Sequence, residues 1–327
     1  MSRPLVTVRM AATDGSAAGS RLLLQGKKDG IAYSTLTSSR KDNSNSPRRG
    51  LVIVSHGYTE HSGLYDELAS ELAEDGWTVV RYDLRGHGDS DGERGYITKF
   101  DDYVKDLELI HDVALHESAS RSTAATDKKP LVVLFGHSLG GLVTLRYMLK
   151  LTLAPSLRHK ADSVQAIVLS APFLRVAKPL SVKDRLAVRI LNALKPIHRN
   201  PFKSNYVRFL SHDETVCERM EGDSKVFAFS TIGWLVQCQK AQSFVQSQVS
   251  ALSGKVPSCW FLAGKDYVVD TATAQATIKS FASSDSSTRQ PSVHHYPEFF
   301  HDIFFEKQRD IPKAQLKQFL TLIESSG

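Results

Sequence analysis

The stretch "LVVLFGHSLGGLVTLRY", Leu131 to Tyr147, decides how this chain is read. Leu131–Phe135 is a short, continuous apolar run of the kind found in strands buried on both faces of a parallel sheet. Gly136-His137-Ser138-Leu139-Gly140 follows, a G-x-S-x-G, and a helical pattern then runs from about Gly141 to Lys150. The tight turn needs small residues. Gly136 and Gly140 let strand and helix approach without Cβ clashes, and Gly141 extends that freedom. Such an elbow lifts the Ser138 hydroxyl clear of the sheet. It also leaves the Leu139 amide free at a helix N-terminus, where it can donate to a developing oxyanion. A plain glycine-rich turn would fit the same letters, so the rest of the chain must supply a nucleophile's partners.

A serine hydroxyl needs a base, and the base needs an orienting acid. On a sheet with this elbow they are expected in the order Ser, Asp/Glu, His, each just after a late strand. "CWFLAGKDYVVD" places Asp266 three residues beyond an apolar strand, with Asp270 as the runner-up further into the next segment. "HHYPEFFHD" places His301 in a loop beyond a strand around Val293–Tyr296, and puts His294 and His295 within or at the edge of that strand. A second oxyanion donor is expected from the loop after an early strand. "IVSHGYTEHSGLY" offers the amide of Tyr58 there, with His56 holding the loop by hydrogen bonding.

The remainder alternates strand and helix. "RLLLQGKKDGIAYSTLTS" reads as two strands around a Lys-Asp-Gly turn, and "LVIVSHG" and "WTVVRYDLRGHG" as buried strands entering glycine loops. "LYDELASELAEDG", "FDDYVKDLELIHDVALHES" and "IPKAQLKQFLTLIES" have helical periodicity, "VQAIVLSAP" is a further strand, and "SSRKDNSNSPRRG" and "RSTAATDKK" are loops. This order predicts an α/β fold, a mostly parallel central sheet flanked by helices. Phe173 to about Ser250 breaks the rhythm, being helical in pattern without a clear buried strand. It reads as an inserted helical cap, giving core 1–172, cap 173–252 and core 253–327. Insertions of this kind sit at the carboxyl ends of the strands, where α/β sheets place their sites.

At 327 residues, 41% hydrophobic and 23% charged, the chain has ordinary globular composition. Cys217, Cys238 and Cys259 form neither a zinc spacing nor a disulfide framework, which fits a reducing cytoplasm. The N-terminus lacks the apolar run of a signal peptide, and no apolar run approaches the roughly 20 residues of a membrane span. A soluble, cytoplasmic protein is expected, with peripheral membrane contact left open. There is no H-E-x-x-H and no phosphate-binding G-x-x-x-x-G-K-[ST]. In "GHGDSDG", Asp91 stands where a dinucleotide loop needs its third glycine. No metal, no cofactor and no nucleic-acid partner is expected. The net charge of +6 is concentrated: Phe173–Leu210 carries nine basic residues against Asp184 alone, a net +8 that leaves −2 for the rest.

The segments "SHGYTEHSGLYDELA", "YDLRGHGDSDGERGYI", "FGHSLGGL", "LSAPFL", "AGKDYVVD" and "FFHDIFFE" together resemble the α/β-hydrolase superfamily. Within it they are similar to the monoacylglycerol lipase and lysophospholipase branch, which is often grouped with serine aminopeptidase-like hydrolases. They run in the family's order from about residue 50 to 306. The resemblance implies Ser138 as nucleophile, His301 as base, Asp266 as orienting acid, and the Tyr58 and Leu139 amides as oxyanion hole. It also implies that the Arg85-Gly86-His87-Gly88 loop is a structural feature beside the site. One departure is Tyr58, where small residues are common, and its bulk is expected to narrow the acyl pocket.

The cap is the least family-like part. Val182, Leu186, Ile190, Leu194 and Ile197 fall near one helical face, with Lys183, Arg185, Arg189 and Lys195 largely elsewhere. Two readings follow: a lid helix whose apolar face packs on the core, or an interfacial helix that meets an anionic membrane. The function expected is hydrolysis of fatty-acyl carboxylic esters, such as monoacylglycerols or lysophospholipids, with no cofactor. The alternatives are another reaction on the same triad (peptidase, thioesterase or acyltransferase), or a non-catalytic lipid-binding protein on a hydrolase scaffold. An intact Ser/Asp/His set argues against the last.

Overall fold

The computed structural model describes residues 7–9, 21–38, 49–121, 130–178, 181–202, 205–282 and 290–325. Both polar loops singled out above, at about 39–48 and 122–129, lie outside the described residues. So do Lys203 and the side chains of Val182, Asp184, Arg185, Leu186 and Arg189.

The strands are β1 Thr7–Arg9, β2 Arg21–Lys28, β3 Ile31–Ser38, β4 Gly50–Ser55, β5 Trp77–Tyr82, β6 Val132–His137, β7 Val164–Ser170, β8 Arg199–Pro201, β9 Phe229–Thr231, β10 Ser258–Ala263 and β11 Ser292–Tyr296. The helices are α1 Asp66–Glu74, α2 Asp101–Arg121, α3 Leu139–Leu153, α4 Arg158–Ala161, α5 Val182–Leu194, α6 Glu214–Gly222, α7 Ile232–Gln248, α8 Thr271–Phe281 and α9 Asp310–Glu324. Among the described residues, nine strands form one sheet in the order β1-β2-β3-β5-β4-β6-β7-β10-β11. From β5 to β11 every neighbouring pair is parallel, while β1, β2 and β3 pair antiparallel at one edge. The β2–β3 hairpin turns at Asp29 and Gly30 with φ of 48° and 82°, a pair of positive values suited to a two-residue turn between twisted strands.

Every residue of β4, β5, β6 and β10 is buried. Their apolar runs are continuous because helices cover both faces of the sheet. α3 begins at Leu139, two residues earlier than its pattern suggested, and extends to Leu153. The glycines explain the early start. A Cβ on Gly140 would lie 2.1 Å from the Ser55 carbonyl oxygen of β4, so only glycine lets α3 begin against the neighbouring strand.

Between β7 and β10 the chain leaves the sheet and forms α5, α6, α7 and a small antiparallel pair, β8 with β9. This is the predicted helical insertion, with two short strands its sequence did not reveal. α7 ties it to the sheet, since Trp234, Cys238, Ala241 and Val245 belong to the same apolar core as α3. Of the two readings of the α5 face, close packing on the core does not hold at its described C-terminal end. Ile190, Leu194 and Ile197 are 54%, 72% and 49% exposed. α5 runs beside α7, and these three side chains stay about half or more exposed. Among the described residues, no helix is long and apolar enough to cross a membrane.

Candidate active site

Ser138 links β6 to α3 with φ 48° and ψ −111°. A side-chain-bearing residue held there costs about 1–3 kcal/mol, which the surrounding structure must offset. Ser138 N–H donates to Ser170 O (2.9 Å), and its carbonyl accepts from Phe173 N–H (2.9 Å). Both partners belong to the β7 exit, so the elbow is held from the neighbouring strand. Leu139 opens α3, and its N–H therefore lies in the first turn, which lacks intrahelical acceptors.

Asp266 and His301 sit in the loops beyond β10 and β11, and the fold brings both to Ser138. His301 Nε2 lies 2.9 Å from Ser138 Oγ, and His301 Nδ1 lies 2.7 Å from Asp266 Oδ2. Asp266 Oδ1 accepts from the N–H groups of Val268 and Val269, both at 2.8 Å. Burial opposes ionisation of Asp266, but the charge and hydrogen bond of His301 and these two amides hold its carboxyl below the usual range. Burial likewise opposes charge on His301. The Asp266 carboxylate and its hydrogen bond prevail, with Asp302 and Glu60 adding, and the imidazole is raised to about 9. Asp270 does not join this line. It caps α8, accepting from Ala272 N–H and the Thr273 hydroxyl. His294 stacks on Phe261 and His295 is exposed.

His56 fastens the early loop. Its Nδ1–H donates to Gly57 O (2.7 Å), and its Nε2 accepts from Leu84 N–H (2.9 Å). Burial lowers its pKa to about 4, so it stays neutral. The Arg85–Gly88 loop is scaffold too: Arg85 grips Asp106 with two hydrogen bonds, at 3.1 and 2.5 Å, and His87 is fully buried.

A cavity of about 230 Å³ opens onto Ser138 and His301, walled mainly by Tyr58, Phe173, Val176, Phe202, Tyr206, Leu210, Trp234, Leu235 and Val268. It can take an apolar chain beside the serine. Tyr58 lines it as expected, but its ring is stacked on Trp234 and its hydroxyl donates to Gly95 O (2.9 Å).

Sequence reasoning missed a second buried group behind His301. His137 Nε2–H donates to Asp302 Oδ1 (3.1 Å) and lies 3.6 Å from Glu60 Oε1, while His137 Nδ1 meets Ser170 Oγ (3.2 Å). Glu60 accepts from Gly57 N–H and from the Tyr65 hydroxyl, both at 2.8 Å. Burial lowers His137 to about 4 and raises Asp302 to about 7. The available signal was adjacency, since His137 and Asp302 directly flank Ser138 and His301. The donor atoms of His137, His301 and Asp302 lie within 4.8 Å of one another, a spacing that could hold a metal ion. Both ring nitrogens of His301 are already engaged with Ser138 and Asp266, so the cluster fits a hydrogen-bonded network better than a ligand set.

Residues 46–308 match the family model described as serine aminopeptidase, S33. The chain is 26% identical over 265 residues to phospholipase YtpA of Bacillus subtilis, covering 81% of this chain and 92% of that protein. It is 25% identical over 265 residues to the monoacylglycerol lipase of Mycolicibacterium smegmatis, covering 80% and 85%. A soluble variant of the Saccharomyces cerevisiae monoglyceride lipase, solved with a substrate analogue, superposes with a TM-score of 0.73 at 17% identity over 96% of this chain and 99% of that one. That likeness establishes the α/β-hydrolase fold. With the family model spanning most of its length, the chain belongs to the serine aminopeptidase S33 family of α/β hydrolases.

Proposed function

We propose that this protein is a serine hydrolase that cleaves carboxylic esters of fatty-acyl chains, of the monoacylglycerol or lysophospholipid type, through an acyl-enzyme on Ser138. The observation that carries this reading is the unbroken hydrogen-bonded line Asp266–His301–Ser138 at the wall of an apolar cavity. The lipase and phospholipase relatives support the same class of substrate.

His301 Nε2 takes the Ser138 proton as Oγ attacks the ester carbonyl. The carbonyl π pair moves onto oxygen, and the Tyr58 and Leu139 amides stabilise that charge. His301 then gives the proton to the departing alkoxide, and the C–O bond breaks. Water, deprotonated by the same imidazole, attacks the acyl-enzyme and releases the fatty acid. Asp266 orients the ring and stabilises its charged form. Residues 173–252 act as the cap over this site, with 1–172 and 253–327 as the two parts of the core. The exposed Ile190, Leu194 and Ile197, beside Lys195, suit contact with an anionic membrane that presents the substrate.

A panel of esters varying in head group and chain length tests the reading, with aminoacyl amides and thioesters as controls. The expected result is hydrolysis of fatty-acyl glycerol or lysophospholipid esters well above the amides and thioesters, lost in Ser138→Ala. Amide cleavage that exceeds ester cleavage, or full activity in Ser138→Ala, would overturn it.

A further inference from the structure

Trp234 is the third residue of α7 and belongs to the cap, yet it touches both halves of the catalytic centre. Its indole stacks on the Tyr58 ring with centroids 3.6 Å apart and planes inclined by 22°. The same indole stacks on Phe173 at 5.7 Å and 11°. Tyr58 carries an amide assigned above to the oxyanion hole. Phe173 donates its own N–H to the Ser138 carbonyl. One cap side chain thus connects the residue that would hold the oxyanion to the residue that holds the nucleophile's backbone.

The other contacts of Tyr58 also come from outside its own loop. Its ring meets Phe227 edge-on (5.2 Å, 87°) and His87 (5.4 Å, 72°). Its hydroxyl shares the Gly95 carbonyl with the Thr231 hydroxyl (2.7 Å), and Thr231 in turn caps α7 by accepting from Trp234 N–H. The loop itself is strained: Thr59, directly after Tyr58, has φ 69° without being glycine. Such a backbone persists only where its surroundings over-determine it. Here the cap supplies part of that restraint, with Tyr206 of the cap donating to Thr59 Oγ1 (3.2 Å) as well. On the other side, Gln242 of α7 donates to Phe173 O (3.0 Å). Trp234 Nε1–H is buried with no hydrogen-bond partner among the described residues, so the indole acts here through its ring.

We infer that Trp234 is a positioning residue for the oxyanion hole: held by the cap, its ring fixes the Tyr58 amide relative to Ser138, so the serine is fully reactive only with the cap seated. This rests on the catalytic roles proposed above. An oxyanion donor acts only when placed within a narrow range of the developing charge, and a displacement of about 1 Å costs about 100-fold in rate. Losing the stack should therefore lower turnover without altering the base or the binding of a small substrate.

The test uses the full chain with p-nitrophenyl acetate, an ester too short to depend on the acyl cavity, and compares Trp234→Phe with Trp234→Leu. Trp234→Leu is expected to lower kcat about 10- to 100-fold with KM within about twofold and the pH profile unmoved. Trp234→Phe, which keeps a stacking ring, is expected to retain at least about a third of wild-type kcat. If circular dichroism shows Trp234→Leu unfolded, Tyr58→Leu removes the same stack from its other partner, with Tyr58→Phe as the ring-keeping control, and the pair is read by the same criteria. Fluorophosphonate labelling of Ser138 in the wild type separates two failures. A labelled wild type with kcat undiminished in the leucine variant overturns the positioning role alone, as does an equal loss in Trp234→Phe. A wild type neither labelled nor active overturns the catalytic assignment and this role with it.

Discussion

Asp302 accepts a hydrogen bond from His137 at 3.1 Å, which places a second, fully buried histidine–carboxylate pair directly behind the His301 ring. The rings of His137 and His301 have centroids only 5.0 Å apart. Asp302 follows His301 in the chain, and its second carboxylate oxygen has no partner among the described residues. When ionised, Asp302 is one of the charges that raise the pKa of His301.

That relationship sets a pH dependence. His301 accepts a proton only when neutral, so kcat/KM should climb as pH rises through its pKa. Against burial, the Asp266 carboxylate and its hydrogen bond, then Asp302 and Glu60, raise that pKa to about 9, so the limb should lie above 6.5, the ordinary histidine value. Asp302→Asn removes one of the raising charges and should move the limb to lower pH. Profiles of kcat/KM from about pH 5 to about pH 10 read both effects. A wild-type limb at or below the ordinary value, or an unmoved limb in the variant, contradicts the network's role.

The two aspartates beyond β10 should separate by variant. Asp266→Asn keeps the loop's size but presents an amide to His301 Nδ1, favouring the wrong tautomer, and kcat should fall on the order of 10⁴-fold. Asp270→Ala removes the α8 cap, costing about 1 kcal/mol of stability, and should leave kcat within a few-fold of wild type. Steady-state kinetics and thermal melts on the two proteins decide it.

Gly140→Ala should destabilise by about 3 kcal/mol or prevent soluble expression, because the new Cβ would meet the Ser55 carbonyl at 2.1 Å. Denaturant unfolding measures this. A cost below about 1 kcal/mol would mean that α3 can shift from β4 and that the elbow is less constrained than its backbone angles imply.

The exposed apolar face at the end of α5 should serve substrate delivery rather than chemistry. Ile190→Glu with Leu194→Glu is expected to weaken binding to anionic phospholipid vesicles and to slow hydrolysis of vesicle-borne esters. Hydrolysis of p-nitrophenyl acetate in solution should persist. Vesicle sedimentation and the two assays test it, and unchanged vesicle binding would remove the membrane contact from the proposal.

What could be read in the sequence follows from how locally each feature is encoded. β4, β5 and β6 announced themselves because strands buried on both faces need continuous apolar runs. Ser138 stood out because its turn demands glycine at 136 and 140. Distance beyond the strand favours Asp266 over Asp270 in the sequence, and in the structure Asp266 faces His301 while Asp270 caps α8. The network of His137, Glu60 and Asp302 was not legible, because it joins the end of β6 to two loops far apart in the chain and each residue alone looks like an ordinary neighbour of a motif. The α5 face stays open between two readings in the sequence for a related reason. Helical periodicity shows that apolar residues share a side, but not whether anything packs against it.

The most direct measurement is intact-protein mass spectrometry after reaction with a fluorophosphonate, followed by peptide mapping of the adduct. A single phosphonyl adduct on Ser138, absent in Ser138→Ala and slowed in Asp266→Asn, is the expected result. An adduct on any other residue, or an unmodified protein that nonetheless hydrolyses fatty-acyl esters, would contradict Ser138 as the nucleophile.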